Sequence, residues 1–300
     1  MRDHIKIPEV LAVAGLGQMG ASFAMAVRKF LPEIRLTGWA PNQSEAEKAV
    51  ELGVVDEAST DSQKILSEAD VVMLAMPISP LIDFVNDHIT EFKAGSIVTD
   101  LSSVKSDIVD GIRPALCEQG VHFVGGHPMA GTEKTGMENG DADMYRDKVV
   151  FITPFCTDDP AAVSIIREIW RSIGGNTFEV DAVDHDVTLA RSSHVLHINS
   201  NITTHVCLQA PNKDLAMLAC GGAFRDTSRI SSSNPDLWVN VTKHNKQAIL
   251  KAMDETLDQV SHVRSWIEGE DWDSLYKFLA EGKALRDDWW DSFNKLDKNK

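Results

Sequence analysis

The sequence predicts an α/β protein, with a doubly wound parallel sheet in its N-terminal part and an all-helical C-terminal part. Short apolar runs alternate with amphipathic helical stretches as far as Val180, and no convincing strand follows that residue. Nearly continuous apolar strands that alternate with helices are typical of a parallel sheet covered on both faces. We therefore expect two domains, residues 1–180 and 181–300.

The elements follow one another in a regular order. A strand at Val10 to Ala14 ends in the turn GLGQMG and continues into a helix. A second strand at Ile34 to Ala40 precedes a helix that stops at Gly53. From Ala182 onward, long amphipathic segments predict helices alone. Further strands are expected at 69–77, 96–103, 122–128 and 148–154, with the helical stretches SPLIDFVNDHI and KSDIVDGIRPAL between them.

The composition excludes some classes of partner. The chain has 29 Lys and Arg against 45 Asp and Glu, a formal charge of −16, which disfavours nonspecific binding to nucleic acid or to an anionic membrane. An anionic substrate therefore needs a local cluster of arginine and histidine. The opening MRDHIKIPEV lacks the apolar core of a signal peptide, and no apolar run approaches the ~20 residues of a membrane span. We expect a soluble, cytoplasmic protein.

The turn between the first strand and the first helix carries a G-x-G-x-x-G motif. Its glycines permit a tight turn and a close approach of backbone N–H groups to a pyrophosphate, and the helix N-terminus offers partial positive charge. Between a strand and a helix, the motif predicts a Rossmann-type dinucleotide site rather than a glycine turn without a ligand. The residues expected to bind the cofactor here are Gly15, Leu16, Gly17, Gln18, Met19 and Gly20.

The end of the second strand bears on the choice between NAD and NADP. An acid about 20 residues after the glycines would hold the ribose 2′-hydroxyl of NAD, but Ala40 stands there. A carboxylate would repel the 2′-phosphate of NADP, so its absence favours NADP, while the lack of a nearby arginine leaves NAD as the alternative. Asn42, Gln43 and Ser44 are candidate donors to that phosphate, and Pro77, at the end of a later strand, is also expected beside the cofactor.

The stretch TDLSSVKSD, residues 99–107, follows a predicted strand at the edge where ligands bind in open parallel sheets. A hydroxyl there, on Ser102 or Ser103, is expected to face the nicotinamide or to orient a catalytic group. The alternative is a helix N-cap with Asp107 in the first turn. Spacing alone favours neither.

The loop GHPMAGTEKTG, residues 126–136, carries His127 after another predicted strand, which places it at the cofactor crevice. Histidine titrates near neutrality and can take a proton from an alcohol as hydride leaves the same carbon. The following Pro128 favours an extended backbone at His127. A metal site is not expected, because no second His, Cys or carboxylate stands at ligand spacing.

The helical half contains a polar cluster. His194 and His197 are three residues apart and share a helix face, and Asp186 lies about two turns upstream on that side. Arg225 and Arg229, four apart, follow in GGAFRDTSRISSSNPDLW. Histidines and arginines on one face of so acidic a protein favour an anion site, with an ordinary solvated surface as the alternative.

Taken in order, GLGQMG, DLSSVK, GGHPMAGTEKTG, HD…SSHVLH and GGAFRDTSRISSSNPDLW resemble the prephenate/arogenate dehydrogenase family of tyrosine biosynthesis. The match is nearly chain-long, and the His-Pro loop and the Phe-Arg-Asp-Thr-x-Arg segment are far more specific than the glycine motif. The resemblance implies oxidative decarboxylation of prephenate to 4-hydroxyphenylpyruvate, or of arogenate to tyrosine, with hydride transfer to NAD(P)+. It also implies a homodimer formed through the helical domain.

The resemblance also implies roles for single residues. His127 matches the histidine that accepts the proton of the ring hydroxyl, and Ser103 matches the serine that contacts both. Arg229 matches the arginine that binds a substrate carboxylate. The residues that match positions around the substrate, or at a site completed by the dimer, are Asp186, His194, His197, Trp238 and Glu133.

Two departures from the family pattern stand out. The helix segment Ser-His-Leu-Pro-His is Ser-His-Val-Leu-His here, which leaves the placing of His197 open, and Ala40 replaces the usual acid. Two other functions remain as alternatives: a related dehydrogenase that acts on 4-amino-4-deoxyprephenate or a small β-hydroxy acid, and a dinucleotide-binding sensor without catalysis. The joint presence of Ser103, His127 and Arg229 argues against the sensor.

Overall fold

The computed structural model describes residues 7–131, 134–155 and 158–298. The chain forms two compact units, one that ends at Ile249 and one that begins at Leu250. In the described residues, the first unit contains all the strands and most of the helices. The second unit contains the remainder of one helix and a further long helix.

Six parallel strands form the central sheet of the described chain: β1 Val10–Ala14, β2 Arg35–Trp39, β3 Glu57–Ser59, β4 Val71–Leu74, β5 Ile97–Asp100 and β6 His122–Phe123. Their order is β3-β2-β1-β4-β5-β6. The chain runs outward from β1 to β3 and returns to place β4 beside β1. Ligands bind outside the carboxyl ends of the strands at such a reversal. The predicted doubly wound parallel sheet is confirmed, with β3 as a strand that the sequence pattern did not indicate.

Helices follow the strands and cover the sheet: α1 Gln18–Phe30, α2 Gln43–Glu51, α3 Ser62–Leu66, α4 Ile78–Asp87, α5 Ser106–Glu118 and α6 Pro160–Ser172. Alternate residues of β1 enter two separate hydrophobic cores. Leu11 and Val13 lie in one core, and Ala12 and Ala14 lie in the other. Because β1 is buried on both faces, its sequence is a continuous apolar run without a polar alternation.

A second, three-stranded sheet contains His127. Its strands are β7 Gly125–Pro128, β8 Val149–Thr153 and β9 Asn176–Glu179, with β7 antiparallel and β9 parallel to β8. The expectation of a single strand over residues 122–128 is therefore wrong, because the chain leaves the central sheet after Phe123. His127 lies inside a strand of the second sheet and not beyond a carboxyl end of the first.

Two glycines explain this change of sheet. A Cβ on Gly125 would lie 2.3 Å from Oγ1 of Thr153, and one on Gly126 would lie 2.7 Å from the carbonyl oxygen of Asp100. The backbone therefore passes against the end of β5 at a distance that no side chain permits. His127 follows directly from this crossing.

The rest of the described chain is helical, as the sequence predicts: α7 Ala182–Leu189, α8 Val195–Leu208, α9 Lys213–Ala219, α10 Gly222–Ser228, α11 Pro235–His244, α12 Lys246–Glu268 and α13 Trp272–Lys298. Asp181 caps α7, its carboxylate accepting a hydrogen bond from the N–H of Val183 at 2.8 Å. A π-helical turn over Ala190–His194 joins α7 to α8. The Ser-His-Val-Leu-His segment starts in this turn.

The second unit exposes many large apolar side chains. A monomer surface normally carries such residues singly, so a series of them along two helices indicates a surface that binds another protein. These residues are Leu250, Leu257, Val260, Ile267, Trp272, Tyr276, Leu279, Leu285, Trp289, Trp290 and Phe293. In the part of the chain that the structure describes, no helix has both the length and the apolar character needed to cross a membrane.

We expect Gly20→Ala to lower the free energy of unfolding by about 1–3 kcal/mol. A Cβ at Gly20 would lie 2.0 Å from the carbonyl oxygen of Gly15 and 2.9 Å from Cβ of Ala75, so the backbone would have to move. Urea denaturation followed by circular dichroism measures the change.

Gly17→Ala is the matched control in the same turn. A Cβ there meets nothing within 4 Å, and the φ angle of Gly17, −65°, suits any residue. Its free energy of unfolding should change by less than about 1 kcal/mol. Equal losses in the two variants would contradict the close packing of Gly20.

Candidate active site

The glycine turn forms a cradle at the reversal of strand order. Gly15 has a φ of 98°, a conformation that favours glycine, and a Cβ there would lie 2.5 Å from the carbonyl oxygen of Ala75. Gly20 packs against Gly15, whereas the space beside Gly17 is open. Two glycines therefore close the turn on the sheet, and the third leaves room where a pyrophosphate would approach.

The N-terminus of α1 carries no side-chain cap among the described residues. Its N-cap is Gly17, with no acidic residue in the first turn. The side chain of Leu16 is buried in the core, and the carbonyl of Met19 accepts a hydrogen bond from the hydroxyl of Tyr145 at 2.7 Å. Gln18 donates to the carbonyl of Asn139 at 3.3 Å. The turn is thus held by these contacts with the rest of the chain. The backbone N–H groups at the start of α1 are of the kind that bind a phosphate.

The residues predicted to bind the adenosine end of the cofactor lie at the start of α2. Ala40 is fully buried after β2. Asn42 caps α2, accepting from the N–H of Glu45 at 2.9 Å and donating to the carboxylate of the same residue at 2.7 Å. Gln43 donates to Glu47 at 2.9 Å, and Ser44 is exposed. The predicted polar residues are together, and two of them already have carboxylate partners.

Three polar side chains form a hydrogen-bonded chain that begins at His127 in β7. Nδ1 of His127 is 2.9 Å from Nε2 of His185, and Nδ1 of His185 is 2.8 Å from Oδ1 of Asp186. All three are buried. Burial first, then the charges that His185 and Lys105 can carry, lower the pKa of His127 well below its ordinary value of 6.5. His127 is therefore a neutral base at pH 7.

Asp186 also caps α5. Its two carboxylate oxygens accept the backbone N–H groups of Lys105 and Ser106, each at 2.8 Å. Burial alone would raise its pKa, but the hydrogen bonds from His185 and from these N–H groups hold the pKa below its usual range. Both oxygens of Asp186 are therefore bonded within the chain, and its expected place beside the substrate stays a prediction.

The same contacts decide the question about Ser102 and Ser103. Neither serine is the N-cap of α5, because the helix begins at Ser106 and Asp186 provides the cap. Both serines are half-buried in the turn after β5, and Oγ of Ser102 has no hydrogen-bond partner among the described residues. The alternative of a serine N-cap is therefore wrong, although Asp107 does lie in the first turn of α5, and both hydroxyls remain candidates for ligand contact.

A buried ion pair fixes the backbone next to His127. The ammonium of Lys105 donates to the carboxylate of Asp100 and, at 2.8 Å, to the carbonyl of Gly126. The other carboxylate oxygen of Asp100 accepts from the N–H of Gly126 at 3.0 Å. Burial lowers the pKa of Lys105, and the charge of Asp100 opposes that effect. Strand β7 is thereby attached to the end of β5.

His194, His197 and Trp238 form the next group. The rings of His197 and Trp238 are stacked with centroids 3.6 Å apart, and His194 meets Trp238 edge-on at 6.0 Å. Burial first, and then the charge of Arg229, lower the pKa of His197 to about 4. Nδ1 of His194 lies 3.1 Å from the amide nitrogen of Asn245.

That amide nitrogen joins this group to the histidine chain. Asn245 Nδ2 also donates to the carbonyl of Asp186 at 2.9 Å. Among the predicted residues, the structure thus brings together His127, Asp186, His194, His197, Trp238 and Arg229. Arg225 is exposed and pairs with its neighbour Asp226 at 3.0 Å, and Glu133 lies outside the described residues. His185 was not named as a site residue, although it is the histidine of the HD pair that contributes to the resemblance.

Helix α11 bonds to the starts of two helices of the nucleotide-binding part. Oδ1 of Asn240 accepts the N–H of Ile78, directly after Pro77, at 3.0 Å, and Nδ2 of Asn240 donates to the hydroxyl of Ser79 at 2.9 Å. His244 lies 2.7 Å from the same hydroxyl and 3.1 Å from the carboxylate of Asp107. Pro77 therefore lies at a junction between α4 and α11.

The fold and the site define a dinucleotide-binding oxidoreductase. A glycine cradle lies at the switch point of the sheet, and a buried neutral histidine follows the crossing beside β5. Residues 23–179 match the family model described as prephenate dehydrogenase, nucleotide-binding domain, and residues 181–281 match prephenate dehydrogenase, dimerization domain. The chain belongs to the prephenate dehydrogenase family, which confirms the resemblance read from its motifs.

Similar proteins cover nearly the whole chain. The prephenate dehydrogenase of Bacillus subtilis (strain 168) is 29% identical over 285 residues, 94% of this chain and 76% of that protein. The crystal structure of prephenate dehydrogenase from A. aeolicus with hydroxyphenyl propionate and NAD+ has a TM-score of 0.86 and 28% identity, covering 93% of this chain and 97% of the other. Synechocystis arogenate dehydrogenase has a TM-score of 0.81 and 29% identity, with 93% and 99% covered.

We expect acid to destabilise the protein through His194. Burial lowers the pKa of His194 to about 4 from an ordinary 6.5. Between these values the unfolded chain binds a proton that the folded chain does not, so stability falls as the pH falls from about 6.5 to about 4. This group contributes on the order of 3 kcal/mol to that loss. Urea denaturation at several pH values measures it.

His194→Gln should reduce the slope of stability against pH, whatever its stability at pH 7, and the part that remains belongs to the other histidines whose pKa burial lowers, His127 and His197. His122→Gln, in strand β6 and outside the cluster, is the control and should keep the slope of the unchanged protein. If His194→Gln leaves the slope between pH 6.5 and 4 unchanged, His194 is not the group responsible.

Proposed function

We propose that the protein catalyses the oxidative decarboxylation of prephenate to 4-hydroxyphenylpyruvate, or of arogenate to tyrosine, with hydride transfer to NAD(P)+. Family membership supports the reaction class, and the buried, neutral His127 is the observation that carries it. Nδ1 of His127 faces His185, so Nε2 is the nitrogen left for the substrate. A neutral imidazole can accept the proton of the ring hydroxyl as hydride leaves the same carbon.

The other steps follow from the chemistry of the substrate. NAD(P)+, when bound, supplies the hydride acceptor. Loss of the ring carboxylate as CO2 then makes the ring aromatic, so the reaction is effectively irreversible. Ser103, in the turn after β5, is proposed to hold the ring hydroxyl against His127.

Substrate carboxylates are proposed to bind beside the stacked pair of His197 and Trp238. Arg229 is exposed and close enough to lower the pKa of His197, which supports it as the carboxylate ligand. Arg225, one turn earlier and paired with Asp226, is proposed to contribute only charge. His194 is proposed to border the substrate, and Glu133 to act at the entrance.

The cofactor is proposed to be held by the cradle from Gly15 to Gly20 and by Pro77 at the start of α4. Preference for NADP over NAD is supported by Ala40 in place of an acid. Asn42, Gln43 and Ser44 supply the polar groups for a 2′-phosphate. The hydrogen bonds of Asn42 to Glu45 and of Gln43 to Glu47 are exposed. Such bonds contribute little net stability, so a phosphate can replace them.

We also propose that residues 1–180 bind the dinucleotide and that residues 181–300 bind substrate and form a homodimer. The description of the family model over residues 181–281 as a dimerization domain supports the dimer. The exposed apolar side chains of the second unit supply a surface of the kind that obligate dimers bury.

His127→Asn should lower kcat by a factor of about 10² to 10⁴, because it removes the proton acceptor. Reduced nicotinamide is measured at 340 nm in a two-by-two assay, prephenate or arogenate against NAD+ or NADP+, compared by kcat/KM. His122→Asn is the control for a histidine lost from the same segment. Near-full activity of His127→Asn, with its fold intact by circular dichroism, would refute the assigned role.

Ala40→Asp should lower kcat/KM for NADP+ by about tenfold or more relative to NAD+, because a carboxylate at this position repels the 2′-phosphate. Ala40→Asn is the control of equal size without the charge, and its ratio should stay within about threefold of the unchanged protein. If both variants change the ratio equally, size and not charge governs the choice of cofactor.

A further inference from the structure

The site contains a hydrogen-bonded relay that runs from Asp186 through His185 to His127. Each member determines which nitrogen of the next carries a hydrogen. The carboxylate of Asp186 can only accept, so Nδ1 of His185, 2.8 Å away, carries a hydrogen. Nε2 of His185 is 2.9 Å from Nδ1 of His127, and one of these two nitrogens must donate while the other accepts. A neutral His185 has its lone pair on Nε2, which makes His127 the donor.

We propose that His185 and Asp186 are positioning residues that hold His127 in the Nδ1–H tautomer, so that Nε2 of His127 is the base. The inference rests on the proposed function only in naming the ring hydroxyl of the substrate as the group that gives its proton to His127. In the reaction, the O–H bond of the substrate breaks and an Nε2–H bond forms. Nδ1 keeps its hydrogen bond to His185, and the excess proton leaves Nε2 for solvent after the product departs.

The surroundings of His127 show why a relay is needed. Lys105, in the turn before α5, donates to the carbonyl of Gly126, the residue before His127. The positive charges that His185, Lys105 and His194 can carry all oppose a positive charge on His127. Asp100 neutralises Lys105 through the buried ion pair. The negative charge of Asp186 reaches His127 through His185 and so favours the protonated ring in the transition state.

His185 is the residue to change, because Asp186 also caps α5 and its loss would disturb that helix. His185→Phe fills the volume of the ring but removes the acceptor. The ring of Phe151 already meets His185 edge-on at 5.5 Å, so an aromatic side chain suits the space. His185→Gln is the conservative partner variant, since its amide reaches the position of Nε2 and restores an acceptor.

The tautomer is read directly by 15N NMR on histidine-labelled protein without substrate or cofactor. One-bond and two-bond 15N–1H correlations identify the ring nitrogen that carries a hydrogen. They are recorded at a pH at which His127 is neutral. Signals are assigned by their loss in His127→Asn and in His185→Gln. We expect hydrogen on Nδ1 of His127 and of His185. A neutral His127 with hydrogen on Nε2 overturns the proposal.

The variants supply the kinetic test. In His185→Phe, His127 should no longer be restricted to the Nδ1–H tautomer, and kcat should fall about 100-fold while KM for the substrate changes less than about threefold. His185→Gln should keep His127 in the Nδ1–H form and should retain more than about a third of the rate. A Phe variant that retains the tautomer, or a Gln variant as slow as Phe, overturns the proposal.

The two proposals fail separately. If the protein turns over neither prephenate nor arogenate but the NMR spectrum shows the Nδ1–H form, the proposed reaction is wrong and the relay stands. If turnover is found with hydrogen on Nε2 of a neutral His127, the reaction stands and the relay is wrong.

Discussion

The carboxylate of Asp186 is the interaction on which the site depends. It caps α5 through the N–H groups of Lys105 and Ser106, and it holds His185 and through it His127. A buried carboxylate is costly unless donors surround it, and here each donor belongs to a part of the chain that needs a fixed position. One charge therefore sets the start of a helix and the orientation of a base.

A second buried charge complements the first. Lys105 gives its backbone N–H to Asp186 and its ammonium to Asp100 and to the carbonyl of Gly126. The backbone before His127 is thus held by Lys105 and Asp100, while the ring of His127 is held by His185. Breaking such a buried pair by removal of one partner typically costs about 3–5 kcal/mol. The stability of the fold and the position of His127 therefore rest on the same few residues.

Much of this could be predicted from the sequence, and the failures have physical causes. The apolar runs and the glycine turn predict the central sheet, because parallel strands and phosphate turns have local signatures. The break after Phe123 was missed because the apolar run continues through Val124 into glycines that fit either sheet. The nearby serines were only one alternative for the cap of α5, and the residue that caps it, Asp186, lies 80 residues from Ser106 in the chain. His185 was missed because His127, the side chain that gives it a place in the site, lies 58 residues away in the chain and meets it only in three dimensions.

Helix α11 limits how the two parts of such a protein can be exchanged between relatives. It carries Trp238, which stacks on His197, and its Asn240 and His244 reach Ser79 and Asp107 at the starts of α4 and α5. A chimera joined near residue 180 would separate these partners unless both parents share them. For recombination, the natural module is therefore the nucleotide-binding half together with a matching α11.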